Sequence, residues 1–114
     1  MRVIIFLALL ITTGCSEIRE SRARQRTLTR LVSRGANEQQ LLQEMRLDWV
    51  RYEKLSEKGR GFGDSLLRRN TADLVKLQRV WSESDYALFY STESTVTIAF
   101  FRSNVVFHFY IGAQ

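Results

Sequence analysis

The sequence predicts an α+β fold, with two or three N-terminal helices packed on a C-terminal three-stranded antiparallel sheet in two layers. Three observations lead there. Apolar residues recur at three- and four-residue spacing as far as Trp81. After Tyr86 the chain turns β-branched and aromatic, in runs parted by short polar turns. The 114 residues include no proline, which favours regular elements over loops.

The chain opens with Met1-Arg2, a short positive stretch, and then Val3 to Ile11, an unbroken apolar run. A bilayer core needs roughly 20 apolar residues, so this run is too short to span one. It matches the apolar segment of a signal peptide, about 7–15 residues. Thr12, Thr13 and Gly14 follow as small residues, and Cys15 is the only cysteine in the chain. The segment resembles the bacterial lipoprotein signal. That resemblance implies a signal peptide over residues 1–14 and a lipid on Cys15, which becomes the first residue. The family prefers leucine where this chain has Thr12, whereas Gly14 fits its pattern. An ordinary secretory cut at the same bond and an uncleaved anchor are the alternatives. Ser16 follows the cysteine where aspartate does not, which resembles the pattern of lipoproteins passed on to the outer membrane and facing the periplasm.

Residues 15–36 read as a lipid-anchored basic helix or tether. Arg19, Arg22, Arg26, Arg30 and Arg34 fall on one stripe, and Ile18, Leu28, Leu31 and Val32 on the other side. Gly35 ends the helix, as glycine does where the chain turns left-handed. Residues 37–114 then form the small α+β domain. Asn37 and Gln40 have the spacing of a capping box, and Leu41, Leu42 and Met45 give the second helix its apolar face. From Arg46 to Glu57 a continued helix and a short extended piece fit equally well. Gly59 to Gly63 reads as a flexible loop. Asp64 is placed to cap a third helix reaching Trp81, with Leu67, Leu74 and Leu77 on one side and an interruption at Asn70-Thr71.

Three strands follow: Tyr86 to Ser91, Thr95 to Arg102 and Val105 to Ile111. Val96, Ile98 and Phe100 share a face of the middle strand. In the last strand, simple alternation places Val105, Phe107, Phe109 and Ile111 together, and Val106, His108 and Tyr110 opposite. Their short turns make them antiparallel neighbours, with one face open to the helices.

The residues offer little chemistry. The glycines at 59–63 lack a preceding strand and the Lys-Ser/Thr ending of a phosphate cradle. His108 is the sole histidine, so a structural zinc site lacks ligands and no motif supplies a nucleophile. Trp49 and Trp81 read as core. The formal charge of +5 would alone suggest nucleic acid or an acidic membrane, and export removes the first. The lone cysteine rules out an internal disulfide. No cofactor, metal or small-molecule substrate is expected, and the chain reads as no enzyme.

Arg34 to Leu42 and the aromatic strands Tyr86 to Ile111 resemble the small outer-membrane assembly lipoproteins of the SmpA/OmlA type, from about Leu28 to the C-terminus. The chain departs from them in lacking the Gly-Pro-type turn before the sheet, and Arg102-Ser103-Asn104 stands where they carry an Asp-Gly-type turn. The resemblance implies a helix–helix–meander order and a place among envelope assembly factors, and it carries over no functional residue. The expected function is a membrane-anchored, non-catalytic cell-envelope lipoprotein acting as an interaction or assembly accessory. It would meet the membrane through Cys15 and a membrane or protein partner through Arg19, Arg22, Arg26 and Arg30. An exported inhibitor or immunity-type binding module is the alternative.

Overall fold

The computed structural model describes residues 2–69 and 74–113, with side chains from 18 to 64 and from 76 to 113. Its elements run α1 (Arg2–Arg34), α2 (Glu38–Glu44), β1 (Val50–Glu53), α3 (Glu57–Arg69), α4 (Leu74–Glu83), β2 (Tyr86–Ser91), β3 (Thr95–Arg102) and β4 (Val105–Ala113). The class is α+β, with four helices and a four-stranded antiparallel sheet in the order β1-β2-β3-β4. The added strand is β1, drawn from the stretch the sequence left open. Val50 to Glu53 pair with Phe89 to Tyr86.

The helix junction forms as its residues require. Gly35 sits at φ 67°, the left-handed region that glycine enters without a Cβ penalty. The Gly35 N–H donates to the Val32 carbonyl at 3.1 Å and that of Ala36 to Leu31 at 3.0 Å, the two bonds of a Schellman cap. Asn37 then starts α2. Its Oδ1 accepts from the Gln40 N–H at 2.9 Å, and the Gln40 Oε1 accepts from the Asn37 N–H at 3.0 Å.

Helices cover both faces of the sheet, so the two-layer expectation is corrected to three layers. On one face Leu28 and Leu31 of α1 and Leu41 of α2 pack with Leu88, Ala99, Phe101 and Val106. On the other, Phe62, Leu77 and Val80 of α3 and α4 pack with Ala87, Val96, Ile98 and Phe100. The cause lies in β3, where Val96 to Phe101 are all buried. A strand apolar on alternate faces alike needs cover on both. Burying each Phe or Leu fully stabilises by about 1.5–3 kcal/mol.

The glycine stretch is helical, not a loop. Ser56 caps α3, its Oγ accepting from the Gly59 N–H at 3.0 Å. Asp64 therefore lies inside α3 rather than before it. The expected interruption at Asn70-Thr71 and the faces of Leu67 and Leu74 lie outside the described residues and side chains. Two of the glycines allow close approach. A Cβ on Gly59 would overlap the Glu53 carbonyl oxygen, and one on Gly63 would lie 2.7 Å from the Trp81 Nε1. Between them Phe62 enters an aromatic box, stacked on Tyr52 at 4.6 Å and edge-on to Trp81 at 5.1 Å.

The faces of β4 also differ from simple alternation. Phe100 pairs with His108 but Phe101 with Val106, so Phe107 is an extra residue, a β-bulge. Val106 thereby joins Phe109 and Ile111 on the α1 face, while Phe107 joins Tyr110 opposite. The hairpin into β4 turns through Ser103 and Asn104, at φ 53° and 62°. Positive φ at both positions marks the tight two-residue turn that matches strand twist. The Asp85 carboxylate accepts from the Ser103 N–H at 2.7 Å and holds it.

The three glycines of α3 make a direct test. A Cβ on Gly61 meets nothing within 4 Å. Gly61→Ala should therefore raise stability by about 0.5–1 kcal/mol, the helix-interior preference for alanine. Gly59→Ala should lower stability, because backbone must move. Urea denaturation of the two variants decides it; equal effects would refute this packing of α3.

Candidate functional site

The outer side of α1 is a strongly basic surface built by one element. Leu28 and Leu31 are fully buried, which fixes the rotation of the helix about its axis. The residues on the other side must then face water. Arg19, Arg22, Arg26 and Arg30 are exposed, with Gln25, Thr29 and Ser33 between them along an open groove. At 1.5 Å per residue, Arg19 begins about 6 Å along the axis from Cys15. The Cys15 side chain lies outside the described ones.

The stripe is not uniform. Arg30 and Arg34 both reach Glu44 of α2, at 2.7 and 2.9 Å. The hydrogen bonds from Arg34 and then Arg30 hold the Glu44 carboxyl below its ordinary pKa. Arg19, Arg22 and Arg26 have no such carboxylate among the described residues. The structure therefore splits the expected set: Arg30 serves mainly the α1–α2 junction, and Arg19, Arg22 and Arg26 are exposed with no ion pair to a carboxylate among the described residues.

Arg24 escaped the sequence reading. It lies on the buried side of α1, at 9% exposure. Its Nη2 donates to the Thr95 Oγ1 at 3.0 Å, and its guanidinium stands 5.5 Å from the Tyr90 ring centroid. Its Nε, like the Thr97 Oγ1, is buried without a hydrogen-bond partner among the described residues. The signal available in the sequence was its spacing of four and seven residues from Leu28 and Leu31. A second network also went unread. Arg51 bonds Glu38 at 3.1 Å and Glu53 at 2.9 Å, and covers the Tyr86 ring at 3.9 Å.

His108 is half-buried, with the Phe100 ring centroid 6.1 Å from its own. Burial, and then the Lys76 ammonium, push its pKa below the ordinary histidine value. No serine or carboxylate is hydrogen-bonded to it among the described residues. Trp49 packs against the α1-side core, its Nε1 donating to the Met45 carbonyl at 3.0 Å, and Trp81 against the other. Gly59, Gly61 and Gly63 lie within α3, where helix packing accounts for two of them. No group of three or more metal-ligating side chains occurs among the described residues, and none of their helices is long and apolar enough to cross a membrane.

Comparison of the chain with protein-family models, curated proteins and solved structures gives no match.

The lowered His108 pKa has a signed consequence. The fold binds this proton less readily than the unfolded chain does. Its contribution is complete above the ordinary histidine pKa and is lost as pH falls from about 6.5 toward the lowered value. His108→Phe should flatten the pH dependence of stability in that window. Parallel wild-type and variant curves in thermal melts would refute it.

Proposed function

We propose that the protein is a membrane-anchored, non-catalytic lipoprotein of the bacterial cell envelope, acting as an interaction or assembly accessory. Two features support the reading. The N-terminal apolar run, Gly14 and the lone Cys15 resemble a lipoprotein signal. One helical turn later, Arg19, Arg22 and Arg26 stand exposed on the side of α1 turned away from the core. This second observation carries the reading furthest, because an acyl chain alone holds weakly and stable anchoring takes a second signal. A basic residue near an anionic surface adds about 1 kcal/mol, so the three together add about 3 kcal/mol at low salt. Ser16 supports delivery to the outer membrane, on its periplasmic side. The sheet and the α3–α4 layer would then face away from lipid, toward a protein partner.

The decisive measurement is intact mass with membrane fractionation in a bacterium, for wild type beside Cys15→Ser. Diacyl or triacyl mass on a chain beginning at Cys15, lost together with membrane association in the variant, is the expected result. Cleavage without lipid would move the exported inhibitor or immunity-type module to first place. With purified protein, Arg19→Glu, Arg22→Glu and Arg26→Glu combined should weaken association with phosphatidylglycerol vesicles on the order of a hundredfold or more, since each 1.4 kcal/mol is tenfold. The gap should close as salt shortens the Debye length. Unchanged association at low salt would remove the arginines from the mechanism.

A further inference from the structure

The two edges of the sheet are built differently. β1 is only four residues long and carries Arg51 and Glu53, both held in ion pairs. Short length and charge are the usual protections of an edge strand. β4 is nine residues long, Val105 to Ala113, and has no Asp, Glu, Lys, Arg or Pro. Its outer edge is engaged at its start, where Asn37 bridges Val105 and the Val106 N–H donates to the Ala36 carbonyl at 2.9 Å. Beyond Val106 no other strand of the described residues pairs with that edge.

The register identifies the open groups. Because Val106 donates outward, its pair with Phe101 is a non-hydrogen-bonded one. Antiparallel pairs alternate, so His108, Tyr110 and Gly112 bond inward to β3. Phe109, Ile111 and Ala113 then turn their N–H and C=O groups away from the sheet.

We propose that this edge pairs with the same edge of a second copy, β4 antiparallel to β4, with the twofold axis at Tyr110. This register clears the Asn37 bridge. It sets Phe109 opposite Ile111 twice, so that the outward groups of both exchange bonds. No charged side chain of β4 opposes another, which matters for a chain of net charge +5. The choice of a second copy over a foreign strand rests on this self-complementarity and on symmetry. The axis of such a pair is perpendicular to the sheet, so both α1 layers lie on one side of a continuous eight-stranded sheet. Their arginine faces then point the same way, as two copies on one membrane require. Only this last point rests on the membrane reading; the pairing itself does not.

Full-length protein carrying Cys15→Ser is tested in mild detergent, so lipidation plays no part. Sedimentation should give a dimer. Adding Tyr110→Cys should give a disulfide-linked dimer, because cross-strand cysteines at a non-hydrogen-bonded pair come within bridging distance. Adding Arg51→Cys instead, on the other edge, should not. Ile111→Pro removes one outward N–H and leaves the β3 ladder its own bonds. It should give a monomer with an unchanged circular dichroism spectrum. A monomer at the highest soluble concentration, a dimer that survives Ile111→Pro, or equal cross-linking at positions 51 and 110 would overturn the pairing. Should Ile111→Pro unfold the chain, the comparison of positions 51 and 110 still decides. Either result leaves the lipidation measurement untouched, so the two readings fail separately.

Discussion

Burial of β3 on both of its faces is the constraint from which the rest of the architecture follows. Phe100 and Phe101 are neighbours in sequence, fully buried, and point to opposite sides of the sheet. Neither side can be left to water, since exposing either ring would forfeit about 1.5–3 kcal/mol. The chain answers with two separate helical layers, one before β1 and one between β1 and β2. The glycines of α3 belong to the same requirement, because they let that helix come down against Trp81 and the end of β1.

The same constraint sets the orientation of the charged surface. Leu28 and Leu31 lock α1 on the sheet, Arg24 reaches down to Thr95, and Arg19, Arg22, Arg26, Arg30 and Arg34 are left outside. The basic face is thus a geometric consequence of core packing. An unpaired guanidinium at the position of Arg24 is costly to bury, and its contacts with Thr95 and Tyr90 offset only part of that cost. Glu44 then sets Arg30 and Arg34, which it binds, apart from the other exposed arginines.

Much of this was legible in the sequence where local chemistry decides the outcome. Gly35, Asn37 and Gln40 announce the α1–α2 junction because a cap involves only neighbouring residues. The aromatic runs announce β2 to β4 for the same reason. What was not legible depends on partners distant in the chain. The four residues from Val50 fit helix and strand alike, and they become a strand beside β2. Glycines at 59, 61 and 63 argue for a loop by propensity, yet tertiary packing overrides it. The extra residue at Phe107 leaves no compositional mark, so alternation read straight through it inverts Val106. The third layer does have a mark in the sequence, since the unbroken apolar run Ile98 to Phe101 is that of a doubly covered strand. Of the candidate site, the arginine spacing showed the stripe; the division made by Glu44 needed the fold.

The contact between α1 and β4 joins the first element of the domain to its last. Ala36, just past α1, accepts a hydrogen bond from Val106, and Leu31 lies in the same cluster as Val106. In vectorial synthesis the apolar side of α1 therefore emerges with α2 beside it but before the strands that complete its cover. The local hairpins of β2, β3 and β4 can assemble early, whereas closure over α1 is among the least local steps and so among the slowest.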